Sequence, residues 1–323
     1  MCTAITLKTK DFYFGRTLDL ERSYGEEVVV TPRKYPFEFR NGKSLKTHYA
    51  IIGTACIRDG YPLYYDAVNE KGLCMAGLNF VGNAFYCERS ASKPNIAQFE
   101  FIPYILGKCS DTDEAEREIR KINLWNTSYS KELPVAELHW IIADAKRTIT
   151  VEFVRDGLKI YENEVGVLTN NPTFDIQMFN LNNYMSLSPE SPQNNFCRRI
   201  SLVPYSLGMG AMGLPGDTSS QSRFIRAAFT KLNSVSGNSE EESVNRFFHV
   251  LGNVQQTRGN CKAGDDFEIT VYTSCCNASK GLYYYTTYDN HCISAVALQN
   301  ENLDGEILRR YPHKKSEKID LLN

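Results

Sequence analysis

The chain lacks the features of a membrane protein, a secreted protein or a nucleic-acid binder. No apolar run approaches the roughly 20 residues that span a bilayer, and the first residues lack the charged and apolar segments of a signal peptide. The 36 basic residues nearly balance the 38 acidic ones, so the net charge of −2 offers no general attraction for nucleic acid. The composition therefore predicts a soluble cytoplasmic protein that neither inserts into membranes nor binds nucleic acid.

The ten cysteines do not form a pattern that holds a metal ion. Only Cys275 and Cys276 are adjacent, no two cysteines are separated by two residues, and the five histidines do not cluster with them. We therefore expect most of the thiols to be reduced and buried as small apolar side chains. We also expect no metal and no cofactor.

Hydrophobic patterning places strands and helices in separate blocks rather than in alternation. Runs rich in β-branched and aromatic residues predict strands at 3–7, 12–15, 27–31, 49–52, 61–69, 73–80, 138–143, 148–154, 269–272, 282–286 and 293–297. Helices are predicted at about 114–122, 219–232 and after Ser239, with capping boxes at Ser110–Asp113 and Ser239–Glu242. This segregation favours an α+β fold over a doubly wound one.

Nothing in the sequence marks a domain boundary. There is no internal repeat, and the stretch 188–216, rich in Pro, Asn, Gly and Ser, reads as a loop or a small excursion. We predict a single domain over residues 1–323.

Cys2 follows the initiator Met1, and removal of Met1 would leave a thiol and a free α-amine on one Cα. The amine titrates near 7.7–8.0 and the thiol near 8.5, so the amine can take the thiol proton and generate the attacking thiolate. A small residue after Met1 is also common without any function. Cys2 opens a predicted strand, which would hold such a nucleophile rigidly.

Arg16 and Asp19 lie in the next predicted strand and would return alongside Cys2 in a hairpin. The arginine would stabilise a thiolate, and the aspartate would orient the α-ammonium. Residues three apart on a regular strand face opposite sides, so for both to face Cys2 we expect a bulge or bend near Thr17 and Leu18. A surface ion pair is the alternative.

Three further polar residues have both a structural and a functional interpretation. Asn170, at the end of an apolar strand, and Asn79 could donate amide hydrogens to an oxyanion, or simply stabilise turns. Arg223 lies about one turn into the helix that starts near Ser219, where it could also be a solvated surface arginine.

Taken jointly, these segments resemble the choloylglycine hydrolases, and in particular the bacterial bile salt hydrolases, which are N-terminal-nucleophile amidases. The resemblance covers nearly the whole chain and is carried by Met1–Thr3, Phe14–Asp19, Asn69–Leu73, Ala76–Phe80, Val167–Phe174 and Gly213–Asp217. It implies a four-layer αββα sandwich with two mainly antiparallel sheets between helix layers.

The resemblance also implies roles for individual residues. It makes Cys2 the nucleophile, Arg16 and Asp19 its activating pair, Asn170 an oxyanion-hole residue, and Arg223 a further active-site arginine. Sister penicillin V acylases typically have Tyr where bile salt hydrolases have Asn, so Asn79 favours bile salts. Members of this branch usually need only the removal of Met1.

The expected substrates are bile acids conjugated to glycine or taurine, and the expected assembly, by family resemblance alone, is a homotetramer. A steroid needs a broad apolar cleft, whose walls we expect to include Leu18, Tyr65, Tyr129 and Leu133, with Asn79 also contacting substrate. Two alternatives stay open. The same machinery could serve a penicillin V or N-acyl-homoserine-lactone acylase, or the chain could be a steroid-binding relative without catalysis.

Overall fold

The computed structural model describes residues 1–323 and contains two large antiparallel sheets that face one another. The first sheet has six strands, and the N-terminal strand lies near one edge. Across this sheet the strands run in the order β14 (Val167–Leu168), β1 (Cys2–Lys8), β2 (Phe12–Leu20), β17 (Ile269–Asn277), β18 (Leu282–Thr287) and β19 (Asn290–Ala297).

The second sheet has eight strands and is also antiparallel throughout. Its order is β13 (Gly157–Glu162), β12 (Thr148–Val154), β11 (Leu138–Ala143), β8 (Cys74–Asn79), β7 (Tyr61–Asn69), β6 (Ile51–Arg58), β3 (Glu26–Thr31) and β20 (Arg309–Pro312). Three small two-stranded pairs complete the strands: β4 (Phe37–Glu38) with β5 (Ser44–Leu45), β9 (Asn95–Ala97) with β10 (Asn123–Trp125), and β15 (Lys262–Ala263) with β16 (Asp266–Phe267).

Helices cover the outer face of each sheet. The five helices are α1 (Phe101–Lys108), α2 (Thr112–Ile119), α3 (Phe174–Asn180), α4 (Ser220–Asn233) and α5 (Glu240–Gly252). Helices α4 and α5 pack against the six-stranded sheet, while α1 packs against β6, β7 and β8 of the other sheet and against α2. The layers are therefore α, β, β, α, and the predicted sandwich is confirmed.

Local sequence accounts for how α4 and α5 begin. The side chain of Ser219 accepts from the N–H of Ser222, and Ser239 forms a full capping box with Glu242. The expected capping box at Ser110 is wrong by one residue: Asp111 is the N-cap and accepts from the N–H of Glu114, so α2 starts at Thr112.

Gly15 allows the two central strands of the six-stranded sheet to approach closely. A Cβ atom at this position would lie 2.1 Å from the carbonyl oxygen of Ser274 on β17. Because no side chain fits there, glycine is required where β2 passes β17, directly before Arg16.

The stretch 188–216 contains no buried residue and only one short 3-10 turn, Met209–Ala211. It joins α3 to α4 at the surface.

None of the helices combines the length and the apolar character needed to cross a membrane.

Candidate active site

Cys2 is the first residue of β1 and is held on both sides. It pairs with Leu18 of β2, its side chain is only 2% exposed, and its backbone N–H donates to Asn170 Oδ1 at 2.9 Å. Met1 continues the pairing, since its ammonium donates to the carbonyl oxygen of Asp19 at 2.7 Å and contacts both carboxylate oxygens of Glu268 at 2.9 Å. The thiol is unpaired and lines a cleft.

Arg16 lies on the same face of β2 as Leu18, so its side chain points to the side of the sheet that carries the Cys2 thiol. Its guanidinium is fully buried and donates from Nη1 to the carbonyl oxygens of Tyr65, at 3.1 Å, and Gly77, at 2.5 Å. Nη2 has no partner in the chain. The arginine therefore keeps a free N–H group in a buried position at the cleft.

The position of Arg16 follows from a gap in the eight-stranded sheet. The ladder between β7 and β8 ends at the pair Asp66 and Ala76, so the next residues, Tyr65 and Gly77, no longer bond to each other. The guanidinium occupies this gap and satisfies both carbonyl groups. Arg16 thus lines the cleft and also satisfies two carbonyl groups that the sheet leaves unpaired.

Neighbouring acidic groups keep the Arg16 guanidinium protonated. Burial by itself lowers the pKa of Arg16, but the neighbouring Cys2, Tyr272 and Asp66 outweigh it and hold the pKa above its ordinary value. Burial raises the pKa of Asp66, which accepts hydrogen bonds from Tyr272 and Tyr283. The arginine therefore stays cationic and can stabilise a thiolate.

Asp19 occupies the opposite face of β2, and the expected bulge near Thr17 and Leu18 is wrong. The register between β1 and β2 is uninterrupted, and the irregularity lies across the sheet in β17, between Thr270 and Tyr272. The carboxylate of Asp19 accepts from the hydroxyls of Thr270, at 2.7 Å, and Thr17, at 3.1 Å. The Cys2 N–H donates to Asn170 Oδ1, and Asp19 reaches the chain end through its backbone N–H, which donates to the Met1 carbonyl oxygen at 2.9 Å.

The electrostatics of Asp19 fit a role near the α-amine. Burial raises the pKa of its carboxyl group, while the Arg223 guanidinium and the N-terminal ammonium act in the opposite direction. A carboxylate in this position favours the ammonium form of a nearby amine.

Asn170 and Arg223 form a connected network behind Cys2. Asn170 Oδ1 accepts from Arg223 Nη2 at 2.7 Å, and Asn170 Nδ2 donates to the carbonyl oxygen of Asn79 at 2.8 Å. Arg223 Nη1 donates to the Thr3 hydroxyl at 2.7 Å and to the Cys2 carbonyl oxygen. Arg223 is fully buried, which excludes the interpretation as a solvated surface residue.

These contacts fix the orientation of the Asn170 amide. Its oxygen faces two donors, so its nitrogen must face the carbonyl oxygen of Asn79. An amide nitrogen carries two hydrogens, and Asn79 takes one of them. No acceptor in the chain takes the second. Asn79 ends β8 and lines the same cleft as Cys2.

The cleft encloses about 990 Å³ of empty space, its open mouth included. Fifteen of its 21 lining residues are hydrophobic, and the four expected wall residues, Leu18, Tyr65, Tyr129 and Leu133, all lie among them. The charged lining residues are Arg16 and Arg58, and no carboxylate lines the cleft. Such a site suits a large apolar molecule that carries a negative charge.

Sequence reasoning missed several supporting groups. Asp66, Thr270 and Glu268 touch the machinery only through tertiary contacts, and no local motif marks them. A carboxylate within an otherwise apolar strand was the available signal for Asp66, because an isolated buried charge needs a partner. No group of three or more His, Cys, Asp or Glu side chains is placed to hold a metal ion.

Comparison with known proteins points to one group of enzymes. The chain is 55% identical to a bile salt hydrolase/transferase from Lactiplantibacillus plantarum over 97% of each chain, and 36% identical to the enzyme of that name from Clostridium perfringens over the full length of both. A solved structure of a conjugated bile acid hydrolase from Clostridium perfringens superposes over 100% of both chains with a TM-score of 0.92 and 36% identity.

A more distant structure shares the fold alone. Penicillin V acylase from Agrobacterium tumefaciens is 21% identical, with a TM-score of 0.74 over 96% of this chain and 90% of the other.

The family described as linear amide C–N hydrolases, choloylglycine hydrolase family, matches residues 2–311. The chain therefore belongs to the choloylglycine hydrolase family.

Proposed function

We propose that this protein hydrolyses the amide bond of bile acids conjugated to glycine or taurine, with Cys2 as the nucleophile. The observation that carries the proposal is the position of the Cys2 thiol in an apolar cleft that contains arginines but no carboxylate. Conjugated bile acids are large apolar molecules with an anionic end, and the names of the similar enzymes refer to the same substrates.

The reaction begins once Met1 has been removed. The free α-amine of Cys2 takes the thiol proton, and the thiolate attacks the carbonyl carbon of the amide while Arg16 stabilises the negative sulfur. The second N–H of Asn170 and the amide of Asn79 donate to the tetrahedral oxyanion. Removing one such donor typically costs roughly 100–1,000-fold in rate.

Collapse of the intermediate breaks the carbon–nitrogen bond. The α-ammonium gives its proton to the leaving amine, glycine or taurine, and the acyl group remains on sulfur as a thioester. The α-amine then takes a proton from water as the water oxygen attacks the thioester carbon. The carbon–sulfur bond breaks, the α-ammonium returns the proton to the Cys2 sulfur, and the bile acid is released. Asp19 orients the ammonium, and Arg223 holds Asn170 through the bond to Oδ1.

Substrate recognition is assigned to the cleft walls. Leu18, Tyr65, Tyr129 and Leu133 would cover the steroid with apolar surface, and Asn79 would contact the amide. Tyr129 is itself held in place, because its hydroxyl donates to the carbonyl oxygen of Arg58 at 2.9 Å. A penicillin V acylase would use the same machinery, but Asn79 favours bile salts by family resemblance.

We further propose that the enzyme is a cytoplasmic homotetramer with no nucleic-acid partner. All ten cysteines are unpaired, as is usual in a reducing compartment. Large apolar side chains are exposed from the end of α3 to the start of α4, as expected of a subunit interface; they are Phe179, Met185, Phe196, Val203, Tyr205, Leu207 and Met212.

A substrate panel with two protein forms tests the proposal. Purified protein, whose loss of Met1 is verified by intact mass, should hydrolyse glycocholate or taurocholate faster than penicillin V. The C2S variant, clipped in the same way, should lose most of this activity. Rapid hydrolysis of penicillin V alone would favour the acylase alternative, and binding of bile salts without turnover by clipped wild-type protein would favour the non-catalytic one.

A further inference from the structure

A fully buried histidine–glutamate pair lies directly behind the two asparagines of the candidate site. His139 of β11 and Glu152 of β12 are both 0% exposed, and Nδ1 of the ring lies 3.1 Å from Glu152 Oε1. Both side chains point into the space between the sheets, since their neighbours Trp140 and Val151 pack on the opposite face. The mechanism described above does not use either residue.

The partners of the pair define how many protons it holds. His139 Nε2 lies 2.9 Å from the carbonyl oxygen of Thr169, which can only accept, so Nε2 must carry a hydrogen. Glu152 Oε1 already accepts from the N–H of Phe174 at 3.0 Å. An attractive contact between Nδ1 and Oε1 therefore needs a second proton, shared between the ring and the carboxylate. With that proton, the pair as a whole is neutral.

The contacts of the pair reach both asparagines. Thr169, which accepts from the ring, directly precedes Asn170. Phe80, which directly follows Asn79, stacks on the ring with a centroid distance of 4.2 Å and an interplanar angle of 8°. One imidazole therefore contacts the residues next to both asparagines that carry the proposed oxyanion donors, through the Thr169 carbonyl oxygen and the Phe80 ring.

We propose that His139 and Glu152 are positioning residues that hold the amide groups of Asn170 and Asn79 in the geometry required for the tetrahedral intermediate. This inference rests on the proposed function. The shared proton keeps the ring attracted to Thr169 and to Glu152 at the same time. Without it, one of the two ring nitrogens would face an oxygen with its lone pair, and the ring would shift.

The E152Q variant removes the shared proton while keeping the size and shape of the side chain. If the glutamine oxygen takes the place of Oε1, the ring has no negative partner and loses one hydrogen, so one of its contacts becomes repulsive. If the glutamine nitrogen takes that place, it meets the N–H of Phe174. Each arrangement leaves one repulsive contact without creating a cavity.

Kinetics with a matched control test the proposal. We expect E152Q to lower kcat by roughly 10–100-fold, as a small misplacement of catalytic groups does, with KM for glycocholate nearly unchanged. The control is E70Q: Glu70 is also largely buried and accepts from the N–H of Ala50 at 2.8 Å, but it does not line the cleft. E70Q should keep the wild-type kcat.

NMR of the wild-type ring gives a second measurement that does not depend on activity. In nitrogen-15-labelled protein, His139 should show a proton on Nε2 and a second, strongly hydrogen-bonded proton between Nδ1 and Glu152, both lost in H139N. Absence of the second proton, a folded E152Q variant with wild-type kcat, or a loss confined to KM would overturn the proposal. Absence of amidase activity in the wild type would refute the proposed function instead, and the NMR result would still report on the pair.

Discussion

Replacing Asn170 by Asp should separate its catalytic contribution from its structural one. In the wild type, Oδ1 accepts from the Cys2 N–H at 2.9 Å and from Arg223 at 2.7 Å, and Nδ2 donates to Asn79 at 2.8 Å. The aspartate keeps both acceptor contacts and adds a charge that attracts Arg223. It loses the N–H that faces Asn79 and the one that would face the oxyanion.

The two effects differ in size. The lost hydrogen bond, with a carboxylate oxygen now facing the Asn79 carbonyl oxygen, costs about 1–3 kcal/mol of stability, and the new attraction to Arg223 offsets part of that. Loss of the oxyanion donor should lower kcat by roughly 100–1,000-fold. N170A should instead leave three buried partners unpaired, one of them charged, at a cost of about 3 kcal/mol or more in the free energy of unfolding.

The assay compares both variants with the wild type. Release of glycine from glycocholate gives kcat and KM, and urea unfolding gives the stability. A folded N170D variant that keeps kcat within threefold of the wild type would refute the assignment of Asn170 as an oxyanion donor. Equal losses of stability in N170D and N170A would refute the orientation of its amide.

Three further predictions concern the fold and the surface. Burial lowers the pKa of His313 to about 4, so as the pH falls the unfolded chain binds a proton at this residue before the folded protein does. The free energy of unfolding should therefore fall by about 3 kcal/mol between pH 7 and pH 4 because of His313. In H313F, urea unfolding should show a decrease over the same pH range that is smaller by this amount. G15A should destabilise the protein by about 3 kcal/mol or more, because its Cβ would lie 2.1 Å from the Ser274 carbonyl oxygen; an unchanged thermal midpoint would contradict this. Replacing the exposed Tyr205 and Leu207 by serine should reduce the mass measured by light scattering, and an unchanged mass would exclude them from the subunit interface.

Local sequence was sufficient for elements whose signals are local. The Ser239 capping box and the strands at 138–143 and 148–154 appear as predicted. A tight turn joins the two strands, with the N–H of Asp144 donating to the carbonyl oxygen of Arg147 at 3.0 Å. Helix α1 was not predicted, because seven of its eight residues are buried and it lacks a polar face. Pro103 lies in the first turn of this helix, where proline is tolerated.

The geometry of the site was harder to predict from the sequence than the identity of its residues. The motifs named Cys2, Arg16, Asn170 and Arg223, and the structure brings them together. The way Arg16 reaches the cleft depends on the end of a ladder in the other sheet, which no spacing in the sequence reveals. The bulge expected in β2 was likewise wrong: the irregularity lies in the neighbouring strand β17, between Thr270 and Tyr272, and the alternation within β2 alone cannot show that.

The gap between β7 and β8 has a consequence for enzyme engineering. Arg16 closes that gap through the carbonyl oxygens of Tyr65 and Gly77, so variation at this position would damage chemistry and fold together. Residues 129–137, which form another part of the cleft wall, differ from Arg16 because this segment has no regular hydrogen-bonded structure. The segment contributes Tyr129, Leu133 and neighbouring residues to the lining of the cleft. Libraries that seek altered steroid preference should concentrate mutations in that segment, where the chain can accept new shapes while the amidase machinery on the strands stays intact.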